Sequence, residues 1–124
     1  MKSIFKVVAI TMIMLFVSIV DVHAAEIVDL GTCGEDLTWT LDDEGFLYIS
    51  GTGEMEDYSE GGAPWYQYDL DIKSVEVTGA TSIGRYACYG CIELVEVKIG
   101  DSVEVIRMCG FYECVNLEKV ILPV

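Results

Sequence analysis

The chain is poorest in the groups that most enzymes use to move protons. Its 124 residues hold one histidine, His23. That residue falls inside a segment read below as a removable leader, so the rest of the chain has no imidazole. Nucleophiles that depend on a histidine base lose it, and histidine-based metal sites lose their ligand. Positive charge is also scarce: 7 Lys and Arg stand against 21 Asp and Glu, a net charge of −14. A surface of that sign repels phosphate backbones and anionic lipid headgroups, which argues against nucleic acid as a partner. The plainest use of the charge is solubility. Long apolar runs are missing after Val20, so no membrane span is expected beyond the leader.

The leader has three parts. Lys2 and Lys6 open it, Val7 to Val20 runs for 14 residues without a charge, and Val22 and Ala24 stand at the −3 and −1 places of a cut. That is the order of a secretory signal peptide, and the apolar run is short of the roughly 18–20 residues that a spanning helix needs. Cleavage after Ala24 removes residues 1–24 and leaves one small domain with 5 basic and 20 acidic residues. The expected destination is outside the cell or on its surface.

Leu37 to Leu41 and Phe46 to Ser50 alternate apolar and polar side chains, the period of a half-buried strand. Asp42-Asp43-Glu44-Gly45 between them reads as the turn of a hairpin. Gly31-Thr32-Cys33-Gly34 reads as a turn cluster, and Gly51-Thr52-Gly53 as a break that stops the second strand. An acidic loop, Glu54 to Glu60, follows. Pro64 to Tyr68 suits a short helical turn opened by proline, with its aromatics over the hairpin. Ile72 to Val77 alternates again and reads as the first strand of a stack.

The last third is one pattern written almost twice. At a shift of 23 residues Ile83 falls on Ile106, Tyr89 on Tyr112, Cys91 on Cys114, Leu94 on Leu117 and Val97 on Val120. Ile72, Val75 and Val77 take the places of Leu94, Val97 and Ile99, with the following spacer one residue shorter. A fixed period in this range marks stacked repeats, each leaving an apolar face for its neighbour to cover. Each circuit is expected to carry Ile106 and Phe111, or their equivalents, inside. Parallel strands of successive circuits would lie about 4.8 Å apart.

Ile83-Gly84-Arg85-Tyr86-Ala87-Cys88-Tyr89-Gly90-Cys91, followed by Leu94-Val95-Glu96-Val97-Lys98-Ile99, resembles the BspA-type leucine-rich repeat, as does the copy ending at Leu122-Pro123. The upstream segments from Gly31 to Gly34, Leu37 to Leu41, Ile49 to Gly53 and Ala63 to Tyr66 resemble what precedes such arrays. Cys88 stands where that family has Phe, Gly110 where it has Ala, and Glu113 where it has Gly. The resemblance implies a β-rich solenoid: an N-terminal β-hairpin cap over residues 25–71, then about two and a half coils with parallel strands over 72–124. It also implies a secreted or cell-surface scaffold for protein or cell-adhesion contacts, without catalysis or cofactor. The chain stops just after a strand, so either a longer array continues it or its edge pairs with another chain.

Several constellations remain to be weighed. Cys88-Tyr89-Gly90-Cys91 has redox spacing, but no βαβ alternation surrounds it. Cys88, Cys91, Cys109 and Cys114 fit a ladder of buried thiols, a disulfide such as Cys88 with Cys109, or a loosely spaced zinc set. Glu54, Glu56, Asp57 and Glu60 are carboxylates without EF-hand spacing, better read as a solvated face. Trp39, Trp65, Tyr66 and Tyr68 suit a sugar platform or, more simply, the closure of a β-stack. The exposed strand positions Glu96, Lys98, Glu118 and Lys119 are the expected contact surface for a protein or cell-surface ligand.

Overall fold

The computed structural model describes residues 24–124. The expected leader lies outside them, save for Ala24 at its end. Among these residues eight strands are present: β1 (Ile27–Gly34), β2 (Asp36–Asp42), β3 (Phe46–Gly53), β4 (Ser74–Ala80), β5 (Ser82–Ile83), β6 (Glu96–Ile99), β7 (Val105–Ile106) and β8 (Lys119–Ile121). A 3₁₀ turn, Tyr66–Tyr68, falls where proline opens the helical pattern. Six strands form one sheet in the order β1-β2-β3-β4-β6-β8, and β5 pairs with β7 in a second.

The antiparallel end is the hairpin foreseen in the sequence, with Trp39 opposite Ile49 and Leu41 opposite Leu47. Asp42 fixes the turn, its Oδ1 accepting the N–H groups of Glu44 and Phe46, each at 2.9 Å. Two glycine-rich segments differ from their sequence reading. Gly31 to Gly34 is strand, not turn, because these glycines serve close packing. A Cβ on Gly31 would lie 2.9 Å from Trp39 Nε1, and one on Gly34 would lie 2.6 Å from the Glu54 carbonyl oxygen. Likewise β3 does not stop at Gly51 but runs to Gly53, and its pairing with β4 slips between Ser50 and Gly53. The glycines there mark an irregularity in the pairing, a usual place for them.

Register in the parallel part follows the repeat. Val75 pairs with Val97 and Val77 with Ile99, Val97 pairs with Val120, and Ile83 pairs with Ile106 in the second sheet. The first step is 22 residues and the second 23, so the shorter spacer is absorbed without loss of register. One pairing was not legible in the sequence. β3 lies parallel to β4, Leu47 beside Val75 and Ile49 beside Val77, so the hairpin's second strand starts the parallel series.

The core fills the space between the two sheets and the turns that join them. Leu37, Leu41, Leu47, Ile49, Val75, Val77, Val97 and Ile99 enter from the large sheet, Ile83 from the small one, and Trp65, Ala87, Cys88, Cys91 and Leu94 from the connecting turns. Burial falls sharply from one coil to the next. Ile83 is 1% exposed and Ile106 48%; Val97 is 1% and Val120 50%; Ile99 is 5% and Leu122 62%. The expectation that Ile106 and Phe111 lie inside is therefore corrected: Ile106 is exposed and Phe111 half-buried. The cause is positional, since no described coil lies beyond β7 and β8.

Candidate interaction surface

The face of the large sheet turned away from the core carries the alternate residues of each strand. Ladder pairing lines up Thr40, Tyr48, Glu76, Lys98 and Ile121 in one row across five strands. A neighbouring row runs Phe46, Ser74, Glu96 and Lys119. Three of the four residues singled out in the sequence, Glu96, Lys98 and Lys119, thus share one face. Glu118 precedes β8 and is not in the ladder. Lys98 Nζ pairs with Glu76 at 3.8 Å, a weak exposed contact. Phe46 and Tyr48 stack at 5.9 Å, and the Tyr48 hydroxyl lies 3.1 Å from Thr78 Oγ1.

The opposite flank is built by the turns. Trp65 Nε1 donates to the Ala87 carbonyl at 2.7 Å, and its ring meets Trp39 edge-on at 5.6 Å. Both tryptophans are buried, so neither offers a face to sugar. Tyr68 is tied to Asp29 Oδ2 at 2.7 Å.

All five cysteines are free thiols. The proposed bridge between Cys88 and Cys109 is not formed. Cys91 beside it and burial push the Cys88 thiol up, while Cys109 lies beside Tyr86. Cys114 donates its thiol to the Cys88 carbonyl at 3.0 Å, and burial, with Cys91 nearby, pushes it up to about 11. Burial first, then the Glu56 carboxylate, pushes Cys33 up to about 12. A raised thiol is a poor nucleophile and metal ligand at neutral pH. Among the described residues no three His, Cys, Asp or Glu converge as a metal site.

The acidic loop is a strap across coils. Asp57 Oδ1 accepts the Arg85 N–H at 2.9 Å, which with Arg107 holds its carboxyl below the usual range. Arg107 also reaches Glu54 Oε1 at 2.8 Å. This Arg107 clasp spans some fifty positions and has no local signal in the sequence.

Residues 63–124 match the family model described as a BspA-type leucine-rich repeat region of 6 copies. The chain belongs to that family. The leucine-rich repeat match begins upstream of Ile72, and geometry explains why. Trp65 and Tyr66 stand one period before Cys88 and Tyr89, which stand one period before Phe111 and Tyr112. A shift backward from Cys88-Tyr89 was the signal available in the sequence. The repeat also fixes backbone shape: Tyr86 and Cys109 share a left-handed φ of 55° and 60°, and Gly90 and Glu113 share 73° and 64°. Glu113 thus occupies a glycine position of the BspA-type unit in glycine's conformation. A crystal structure of a leucine-rich repeat protein from Eubacterium ventriosum ATCC 27560 is similar, with a TM-score of 0.66 and 28% identity over 79% of this chain. The chain spans 28% of the length of that protein. No curated protein matches.

Proposed function

We propose that this chain is a secreted or cell-surface binding module, without catalytic activity, that makes protein or cell-adhesion contacts through the outward face of its large sheet. The observation that carries this reading is the alignment of Thr40, Tyr48, Glu76, Lys98 and Ile121 across five paired strands. Such a face is fixed by the ladder and mixed in charge, conditions for complementary contact with another protein. Leucine-rich repeat folds generally serve protein–protein binding, and the family match supports that use here. Among the described residues no helix is long and apolar enough to cross a membrane. Export rests on the signal-like order of residues 1–24. Catalysis is disfavoured by the absence of imidazole after His23 and by the raised thiols.

The test is binding of the purified protein to immobilised extracellular-matrix proteins and to whole cells, read by surface plasmon resonance and adhesion counts. Charge reversal at Glu96→Lys and Lys98→Glu is expected to weaken binding about tenfold. Binding indifferent to both would remove the sheet face as the contact surface.

The exposed apolar row of Ile106, Val120 and Leu122 favours a second reading. In it the hairpin caps a longer solenoid whose further coils bind, and this segment has no binding of its own. A longer chain that binds where this one does not would select that reading.

A further inference from the structure

The outward face of the large sheet changes character on β1 to β4, where hydroxyls replace charges. Ladder pairing puts Thr32 beside Thr38, Thr38 beside Ser50 and Ser50 beside Thr78. One row of hydroxyls therefore crosses four strands, at the strand spacing of about 4.8 Å. Thr40 follows Thr38 on the same face and stands beside Tyr48. Water reaches all of them: Thr32 and Thr38 are exposed, and Thr40, Tyr48, Ser50 and Thr78 are half-buried. The Tyr48 and Thr78 hydroxyls lie 3.1 Å apart. Among the described residues the hydroxyls of Thr32, Thr38, Thr40 and Ser50 have no protein partner for a hydrogen bond.

The row holds no ionised group, in a chain of net charge −14. Ions stand at its margins: Asp36 across from Thr52, and Glu76, whose charge Lys98 offsets at 3.8 Å. The row itself thus favours neither an acidic nor a basic partner, and a neutral ligand matches it. Ser and Thr are also under-represented among the residues that dominate protein–protein affinity. A hydroxyl is at once donor and acceptor. So is each hydroxyl of a sugar, and the two sets pair whichever way a given proton points. Phe46 and Tyr48, stacked at 5.9 Å on the same face, supply apolar ring surface for the C–H groups of a sugar. A β-1,4-linked hexose chain is straight and follows a row, whereas an α-1,4-linked chain curls away from it. In the sheet β6 and β8 lie beyond β4, so coils added past β8 would lengthen the sheet and leave this region open.

We propose that the hydroxyl row with Phe46 and Tyr48 binds a neutral, extended chain of β-linked hexoses, the sugar hydroxyls bonding to Thr38, Thr40 and Ser50 and its C–H groups lying on the two rings. This site rests on the reading of the outward face as the contact surface, and a glycan displayed on a cell gives adhesion its ligand.

The experiment is isothermal titration calorimetry of the purified protein with three neutral hexasaccharides, the β-1,4-linked chains of glucose, mannose and N-acetylglucosamine. The α-1,4-linked glucose hexamer serves for comparison. Expected is saturable binding of a β-linked chain, tighter than that of the α-linked one and unchanged by salt, since the ligand carries no charge. Thr38→Val with Ser50→Ala removes two hydroxyls and should weaken binding about tenfold. Tyr48→Ala should weaken it at least as much. Glu96→Lys with Lys98→Glu, on β6, should leave it unchanged. Native tryptophan fluorescence checks the fold of each variant, since Trp39 and Trp65 are both buried. No binding of any β-linked chain, full binding by the folded Thr38→Val and Ser50→Ala variant, or binding that depends on salt and on Glu96 and Lys98 would each overturn the proposal. If matrix proteins bind through Glu96 and Lys98 while no sugar binds, the sheet face remains the contact surface and the glycan site alone is lost.

Discussion

Ile83 and Ile106 occupy the same place in successive circuits, pair directly and differ in what covers them, 1% against 48% exposed. Truncating each to alanine measures how much one coil depends on the next. Alanine removes three carbon atoms from isoleucine, and each buried methylene contributes about 0.8 kcal/mol. A fully buried Ile83 therefore loses about 2.4 kcal/mol of transfer energy, and the cavity left among rigid neighbours raises the cost to about 3–4 kcal/mol. Ile106 has about half its side chain in water and leaves no closed cavity, so its cost is about 1 kcal/mol. The difference, about 2 kcal/mol, corresponds to roughly a 30-fold change in the unfolding constant (about 1.4 kcal/mol per decade). Urea unfolding followed by tryptophan fluorescence reads it directly, since Trp39 and Trp65 are both buried. A Tm difference of about 10 °C is expected in parallel. Equal costs at the two positions would refute the reasoning: either the stack does not bury Ile83 through its neighbour, or Ile106 is covered by something else.

Other consequences follow from single contacts. Glu113→Gly should raise stability by about 0.5–1 kcal/mol in chemical denaturation, because relief of a left-handed backbone outweighs the added freedom of the unfolded chain; a loss would mean the side chain contributes more than its backbone strain costs. Trp65→Phe should cost about 3 kcal/mol, leaving the Ala87 carbonyl unpaired and a void in the core, and a small change would show that the hydrogen bond matters little. Ellman titration should find five free thiols in denaturant, with Cys33, Cys88 and Cys91 unreactive in the native protein because they are buried. Stability should also fall as pH rises from 9.0 towards about 12. In that window the unfolded Cys33 ionises while the folded one keeps its proton, so the unfolded state binds fewer protons and gains. A pH profile that is flat up to 12 after allowing for the other groups would contradict the burial of that thiol.

The hairpin was legible because its signals are local. Alternation in Leu37 to Leu41 and Phe46 to Ser50, with a four-residue turn between, needs no knowledge of the rest of the chain. The parallel register was legible for a different reason: the sequence is compared with itself, so Val97 over Val120 and Ile83 over Ile106 are read from spacing alone. The glycine segments were misread because glycine reports only that a side chain is unwelcome. At Gly31 what excludes it is an indole eight positions away, and at Gly34 the carbonyl of a loop twenty positions on. Of the four residues proposed for contact, alternation put Glu96, Lys98 and Lys119 on one side, while Glu118 lies just outside the ladder that aligns the others.

Sequence by itself determined the period, the strand register and the family, since these depend on where apolar side chains recur along one chain. Only the tertiary structure decided which of two equivalent residues is covered, that β3 opens the parallel series, and that Arg107 clasps the acidic loop. Those are contacts between segments far apart in the chain. No residue encodes its distant neighbour, and the neighbour is chosen by which arrangement buries the most apolar surface while leaving every backbone group a partner.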